Sequence, residues 1–176
     1  DRIARYYQRQ ADILHPPVDL ERIPFTRQNP GSFWLAGGRL VHYKRFDLCV
    51  EAANHLRVPL KIYGTGPDEA RLKKIAGPTV EFLGRVNEAR KFELYRDAIA
   101  FLHPQVEDFG MSMLEVQASG TPVIAYGKGG ALETVAPGAT GLFLPTSTTA
   151  APTEAMQGLD PPRFDPAALP RHVAPF

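Results

Sequence analysis

From residue 32 to residue 145 the chain repeats one pattern: a short apolar run, a turn bearing glycine or proline, then apolar residues at helical spacing. The runs fall at 32–38, 59–64, 79–84, 99–104, 122–126 and 140–145. Their length and their Gly/Pro flanks predict buried strands rather than helices. Between them, 45–56 places Phe46, Cys49, Val50, Ala53 and Leu56 on one helical face. Gly66-Pro67-Asp68-Glu69 opens a second helix with proline at its first position and acids in its first turn; Lys73, Lys74 and Gly77 close it. Further helices are expected over 88–97, 112–119 and 131–135. Strands and helices that alternate through short loops form a parallel sheet covered on both faces. The expected fold is α/β with a doubly wound sheet.

The ends differ from this middle. Residues 1–31 hold a short basic helix candidate and then "ILHPPVD", whose paired prolines favour an extended connector. Beyond 145 prolines gather again, with a helix expected near 150–158 in a tail running over 146–176. The formal net charge of +1 argues against a surface that grips nucleic acid, so any anion site must be a local cluster. The single cysteine, Cys49, has no internal partner, and its apolar helix face makes it core; a reducing cytoplasm is the expected compartment. No apolar run approaches the ~20 residues that span a bilayer.

In open parallel sheets ligands bind beyond the carboxyl ends of the strands. The loops expected there are "GGRLVHYKR", "GTGPDE", "GRVNE", "PQVEDFG" and "GKGGALE", all carrying glycine and most carrying charge. Glycine lets backbone approach a ligand closely, and helix starts offer free amides to anions. Each loop alone is best read as a turn with solvated charges. Five of them at one sheet edge, with Arg39, Lys44 and Arg45 in the first, predict a phosphate-bearing ligand. Gly64-Thr65-Gly66 lacks the third glycine of a dinucleotide fingerprint, and Gly127-Lys128 is followed by Gly rather than Ser or Thr, which excludes a P-loop. No paired His/Cys spacing points to a structural metal. His103, at the end of an apolar strand, reads as a packed, hydrogen-bonded imidazole. Ser112-Met113-Leu114-Glu115 reads as a capping box.

Taken in order, "GRLVHYKR", "GTGP", "FLGRV", "EDFGMSMLEVQASGTPVIA" and "GGALETV…TGLF" resemble the carboxyl-terminal, donor-binding half of family-4 retaining glycosyltransferases, with bacterial or archaeal mannosyltransferases the nearest in character. The likeness covers about residues 33–145. Its glutamate, seven residues, glutamate element is met by Glu107 and Glu115. "HPPVD" resembles the segment leaving the amino-terminal domain, and "FDPAALPRHVAPF" the tail that packs back toward it.

The resemblance implies one Rossmann-like half of a two-domain, B-type enzyme: 1–31 connecting from an amino-terminal acceptor domain of the same parent chain, 32–145 holding the donor, and 146–176 forming a helical tail. It implies a nucleotide-diphosphate sugar as substrate, GDP-mannose first and UDP-glucose second, with no cofactor and no metal. Arg39 and Lys44 match the cations on the diphosphate, with the amides of Met113 and Leu114 beside them. Glu115 matches the carboxylate on the ribose hydroxyls. Glu107, with Phe109, Gly110 and Met111, matches the group holding the transferred sugar. Arg85 and Val86 flank the base, and Gly64 marks close approach. A cytoplasmic location at the inner face of the membrane, with peripheral association through the acceptor domain, follows from the same likeness. The rival readings are a nucleotide-sugar binding module without chemistry and a sugar-nucleotide hydrolase or epimerase.

Overall fold

The structure, a computed structural model, describes residues 2–25 and 31–176; Asp1 and residues 26–30 of the expected connector lie outside the described residues. Six strands, β1 (Phe33–Gly37), β2 (Leu60–Tyr63), β3 (Val80–Gly84), β4 (Ala98–His103), β5 (Val123–Tyr126) and β6 (Gly141–Leu144), make one sheet in the order β3-β2-β1-β4-β5-β6. Every pairing is parallel. The helices between them are α2 (Phe46–Leu56), α3 (Glu69–Ile75), α4 (Glu88–Asp97), α5 (Met111–Ala118) and α6 (Ala131–Thr134). They are preceded by α1 (Arg2–Tyr7) and followed by α7 (Ala150–Gly158) and α8 (Ala168–Val173).

The central strands β1, β4 and β5 read as apolar runs because both faces are buried, whereas β2 and the edge strand β3 carry Lys61 and Glu81. Phe33, Leu35, Phe101, Val123 and Ala125 pack under α4, α5, α6 and α8. Their neighbours Trp34, Ala36, Ala100, Leu102 and Ile124 pack under α2, α3 and α7. This is the period-two alternation of a strand whose two faces each have a core. Cys49 sits inside the second core, fully buried.

Two expectations at helix starts are corrected. Pro67 is not the first residue of α3; it lies in a turn closed by the Glu69 amide on the Gly66 carbonyl (3.1 Å), and the helix begins at Glu69. Arg45 is not simply solvated. It takes a left-handed conformation (φ 54°) ahead of α2 and is held by Asp47 and by Ser147 Oγ at 3.1 Å.

The ends are tied to the sheet. Ile23 of the connector and Val173 of α8 are buried in the first core, Leu169 of α8 is fully buried, and α7 packs on α2. His15 of the "HPPVD" segment stacks on Phe109 with ring centroids 5.1 Å apart, and Phe176 meets both rings edge-on at 5.4 and 5.8 Å.

Candidate functional site

The order of strands reverses between β1 and β4, so the loops after these two strands diverge and leave a crevice at their carboxyl ends, the usual place for a ligand in such a sheet. Across that crevice the loops exchange an ion pair: Lys44 Nζ, on a 3-10 turn (His42–Lys44), stands 2.7 Å from Glu107 Oε1. Both side chains are half-buried. Glu107 is fixed from a third loop as well, since its carbonyl accepts the Gly130 amide at 2.8 Å.

Below Glu107 lies a buried polar chain. Gln105 Nε2 donates to Glu107 Oε1 at 3.3 Å and meets His103 Nδ1 at 3.1 Å. An amide nitrogen is a donor only, so His103 Nδ1 accepts and its ring is neutral with the proton on Nε2. Burial pushes His103 down to about 4, with the Lys44 charge adding to the shift and the Glu107 charge opposing it. Burial pushes the Glu107 carboxyl up, but the Lys44 ammonium, His103 and Gln105 together outweigh this and hold it below its ordinary value.

Beside the ion pair runs a groove of about 500 Å³ lined by Gly38, Arg39, Gly64, Arg85, Val86 and Lys91, among others. Its floor exists because Gly64 has no side chain: a Cβ there would run into the Gly38 carbonyl oxygen, and φ is +105°. Arg39 and Arg85 are exposed on its rim, where two cations and a bare backbone can take an anion.

The start of α5 departs from expectation. Gly110, at φ 91°, caps the helix, which begins at Met111, so Ser112 is its second residue and no side chain caps it. The expected capping box therefore does not form. The left-handed turn that only glycine adopts easily starts the helix two residues too early for the serine. The Met113 amide donates to the Gly110 carbonyl at 2.9 Å, the Met113 and Leu114 side chains are fully buried, and the first-turn amides of α5 begin at Met111 and Ser112. Phe109 is half-buried, with His15 stacked on its ring and Phe176 meeting it edge-on.

Glu115 points back to α4. Lys91 Nζ stands 3.0 Å from both of its oxygens, and Tyr95 donates to Oε2 at 3.1 Å. Tyr95 in turn pairs with Tyr63 at 2.8 Å. The sequence expectations name none of Lys91, Tyr95, Tyr63 or Gln105 as site residues. For Lys91 the available signal was an exposed-looking lysine on the face that also carries Tyr95, one turn on. Of the expected site residues, Arg39, Gly64, Arg85 and Val86 line the groove, Lys44 pairs with Glu107, and Glu115 pairs with Lys91, which itself lines the groove.

Residues 21–159 match the family described as Glycosyl transferases group 1, and the chain belongs to that family. It is 32% identical over 155 residues to the D-rhamnosyltransferase WbpZ of Pseudomonas aeruginosa, covering 82% of this chain and 40% of that protein. It is 32% identical over 124 residues to O-antigen chain mannosyltransferase C of Escherichia coli, 66% of this chain and 33% of that one. A GDP-mannose-dependent alpha-mannosyltransferase of Mycolicibacterium smegmatis is 36% identical over 108 residues, 61% of this chain and 28% of that one. The chain therefore spans between 28% and 40% of these relatives. The fold is shared with a glycosyltransferase from Rickettsia africae ESF-5 (TM-score 0.83, 17% identity, 99% of this chain and 55% of that one). It is shared too with sucrose-phosphate synthase from Thermosynechococcus elongatus (TM-score 0.79, 23% identity, 98% and 49%).

Proposed function

We propose that this chain is the donor-binding half of a retaining hexosyltransferase and holds a nucleotide-diphosphate sugar along its strand ends, GDP-mannose before UDP-glucose. The observation that carries this reading is the ion pair between Lys44 and Glu107 across the strand-order reversal, beside a groove rimmed by Arg39 and Arg85. The diphosphate would lie against Arg39, Lys44 and the first-turn amides of α5, with the base toward Arg85 and Val86. Glu107 would hold the transferred sugar and Glu115 the ribose. Positive charge fixed beside the departing diphosphate stabilises it electrostatically, and in this reading Arg39 and Lys44 supply it without a metal ion. The preference for GDP-mannose rests on relatives that carry that donor in their names. The acceptor and the residue that faces it would belong to another domain of the parent protein, which acts at the cytoplasmic face of the membrane.

The test is calorimetric titration of the chain with GDP-mannose, UDP-glucose, GDP, UDP and the free nucleosides. A nucleotide sugar should bind, and no sugar should be transferred or released. Arg39→Ala and Lys44→Ala should each weaken the diphosphates about tenfold to a hundredfold, the scale of bonds to a charged group, and spare the nucleosides. Failure of every donor to bind, or equal losses for nucleoside and diphosphate, would sink the proposal.

A further inference from the structure

A lysine stands between Glu115 and the groove. Lys91 lines the groove with Arg39, Gly64 and Arg85, whereas Glu115 faces a smaller cavity of about 170 Å³ beneath Pro17, Val18 and Met111. The ammonium bridges both carboxylate oxygens at 3.0 Å, and the Tyr95 hydroxyl takes Oε2 at 3.1 Å. Tyr95 has one hydrogen to give. It goes to Glu115, so Tyr63 must be the donor across the 2.8 Å bond between the two phenols. Tyr95 is thus pinned from behind and cannot turn its hydrogen elsewhere without leaving Tyr63 unmatched. A carboxylate offers about four acceptor positions. Among the described residues Lys91 and Tyr95 fill three of Glu115's, and the position left open is on Oε1.

We propose that Lys91 is a specificity-determining residue: by occupying Glu115 it leaves the carboxylate room for one hydroxyl of a ligand's vicinal pair, not both. The inference rests on the donor site proposed above. Its consequence is that the site reads the ribose of a nucleotide asymmetrically. One hydroxyl donates to Oε1 and is required; the other finds no acceptor and is dispensable. A glutamate without this lysine would take the pair.

The experiment measures dissociation constants of GDP, 2′-deoxy-GDP and 3′-deoxy-GDP, with the UDP series in parallel, for the unmodified chain and for Lys91→Met and Tyr95→Phe. Ratios within each variant cancel any uniform loss from the missing charge. In the unmodified chain one deoxy nucleotide should bind at least about tenfold more weakly than its parent, the scale of a bond to a charged group. The other should stay within about threefold, less than half a tenfold step in free energy. Lys91→Met, which keeps the length of the stem, should make both deoxy nucleotides at least about tenfold weaker than the parent. Tyr95→Phe frees one position while keeping the lysine, and should recover part of the second hydroxyl's contribution; it carries the test if Lys91→Met does not fold. Tenfold losses for both deoxy nucleotides in the unmodified chain, or the same ratios in all three proteins, would overturn the inference alone. No binding of either parent nucleotide would overturn the donor-site reading and this inference with it.

Discussion

A neutral imidazole enclosed four residues before a carboxylate sets a clear acid limit on this fold. His103 is buried and held as an acceptor by Gln105, so the folded chain resists protonating it until about pH 4, whereas the unfolded chain takes that proton near 6.5. Between these values the unfolded state binds more protons, so stability falls as pH drops from 6.5 toward 4 and this contribution levels off below. The window corresponds to roughly 3 kcal/mol. Glu107, whose value is lowered, adds loss in the same direction at the acid end. Melting curves across this range should show the slope, and His103→Leu should flatten its upper part; an unchanged slope in that variant would place the acid sensitivity elsewhere. Glu107 and Glu115 were named through the resemblance, because their glutamate, seven residues, glutamate spacing falls within an ordered set of family-like motifs. Lys91 and Gln105 were not. Lys91 meets Glu115 across 24 positions, from a different helix, and no local pattern encodes that meeting. Gln105 acts through a side-chain amide in a loop where turn chemistry alone gives it no role.

At the level of elements, the alternation of strands and helices was readable from periodicity, since two buried faces leave the central strands apolar and the helices one-sided. What periodicity does not resolve is which residue starts a helix. The serine, two residues, glutamate pattern at 112–115 reads as a cap, yet the glycine before it starts α5 first, because its left-handed φ of 91° ends the preceding loop at Gly110. Two substitutions separate these descriptions. Ser112→Ala should change stability by no more than about 0.5 kcal/mol, as for a residue without a structural partner; a loss near 1 kcal/mol would restore the capping box. Gly110→Ala should cost more than about 1 kcal/mol, because alanine resists positive φ. Its Cβ would also meet the Met113 methyl group. Chemical denaturation of both variants decides between the two helix starts.

Across the whole molecule, the two proline-rich ends converge on the loop that carries Glu107. Proline hides this from a sequence reading, because it breaks the helical pattern without saying where the broken pieces dock. In the structure His15 from one end and Phe176 from the other close over Phe109, two residues after Glu107, and α8 lies against α5, whose first turn faces the same crevice. His172 adds a bond to the Thr134 carbonyl at 3.2 Å, tying the tail to the end of α6. The tail is therefore part of the frame that holds the candidate site. Leu169 gives the cleanest measure of this, being fully buried in α8 and far in sequence from every candidate ligand contact. Leu169→Ala should cost about 2–5 kcal/mol, the range for a leucine deleted from a packed interior. It should lower the denaturant midpoint with the slope unchanged, because the surface exposed on unfolding stays nearly the same. Hydrogen exchange should then quicken at α5 and at residues 107–110 together, since the contacts that α8 and Phe176 lend them are weakened in one step. If the variant loses less than about 0.5 kcal/mol, the effect of an ordinary surface change, the tail is an appendage and the loop bearing Glu107 is held by its own bonds to Lys44, Gln105 and Gly130.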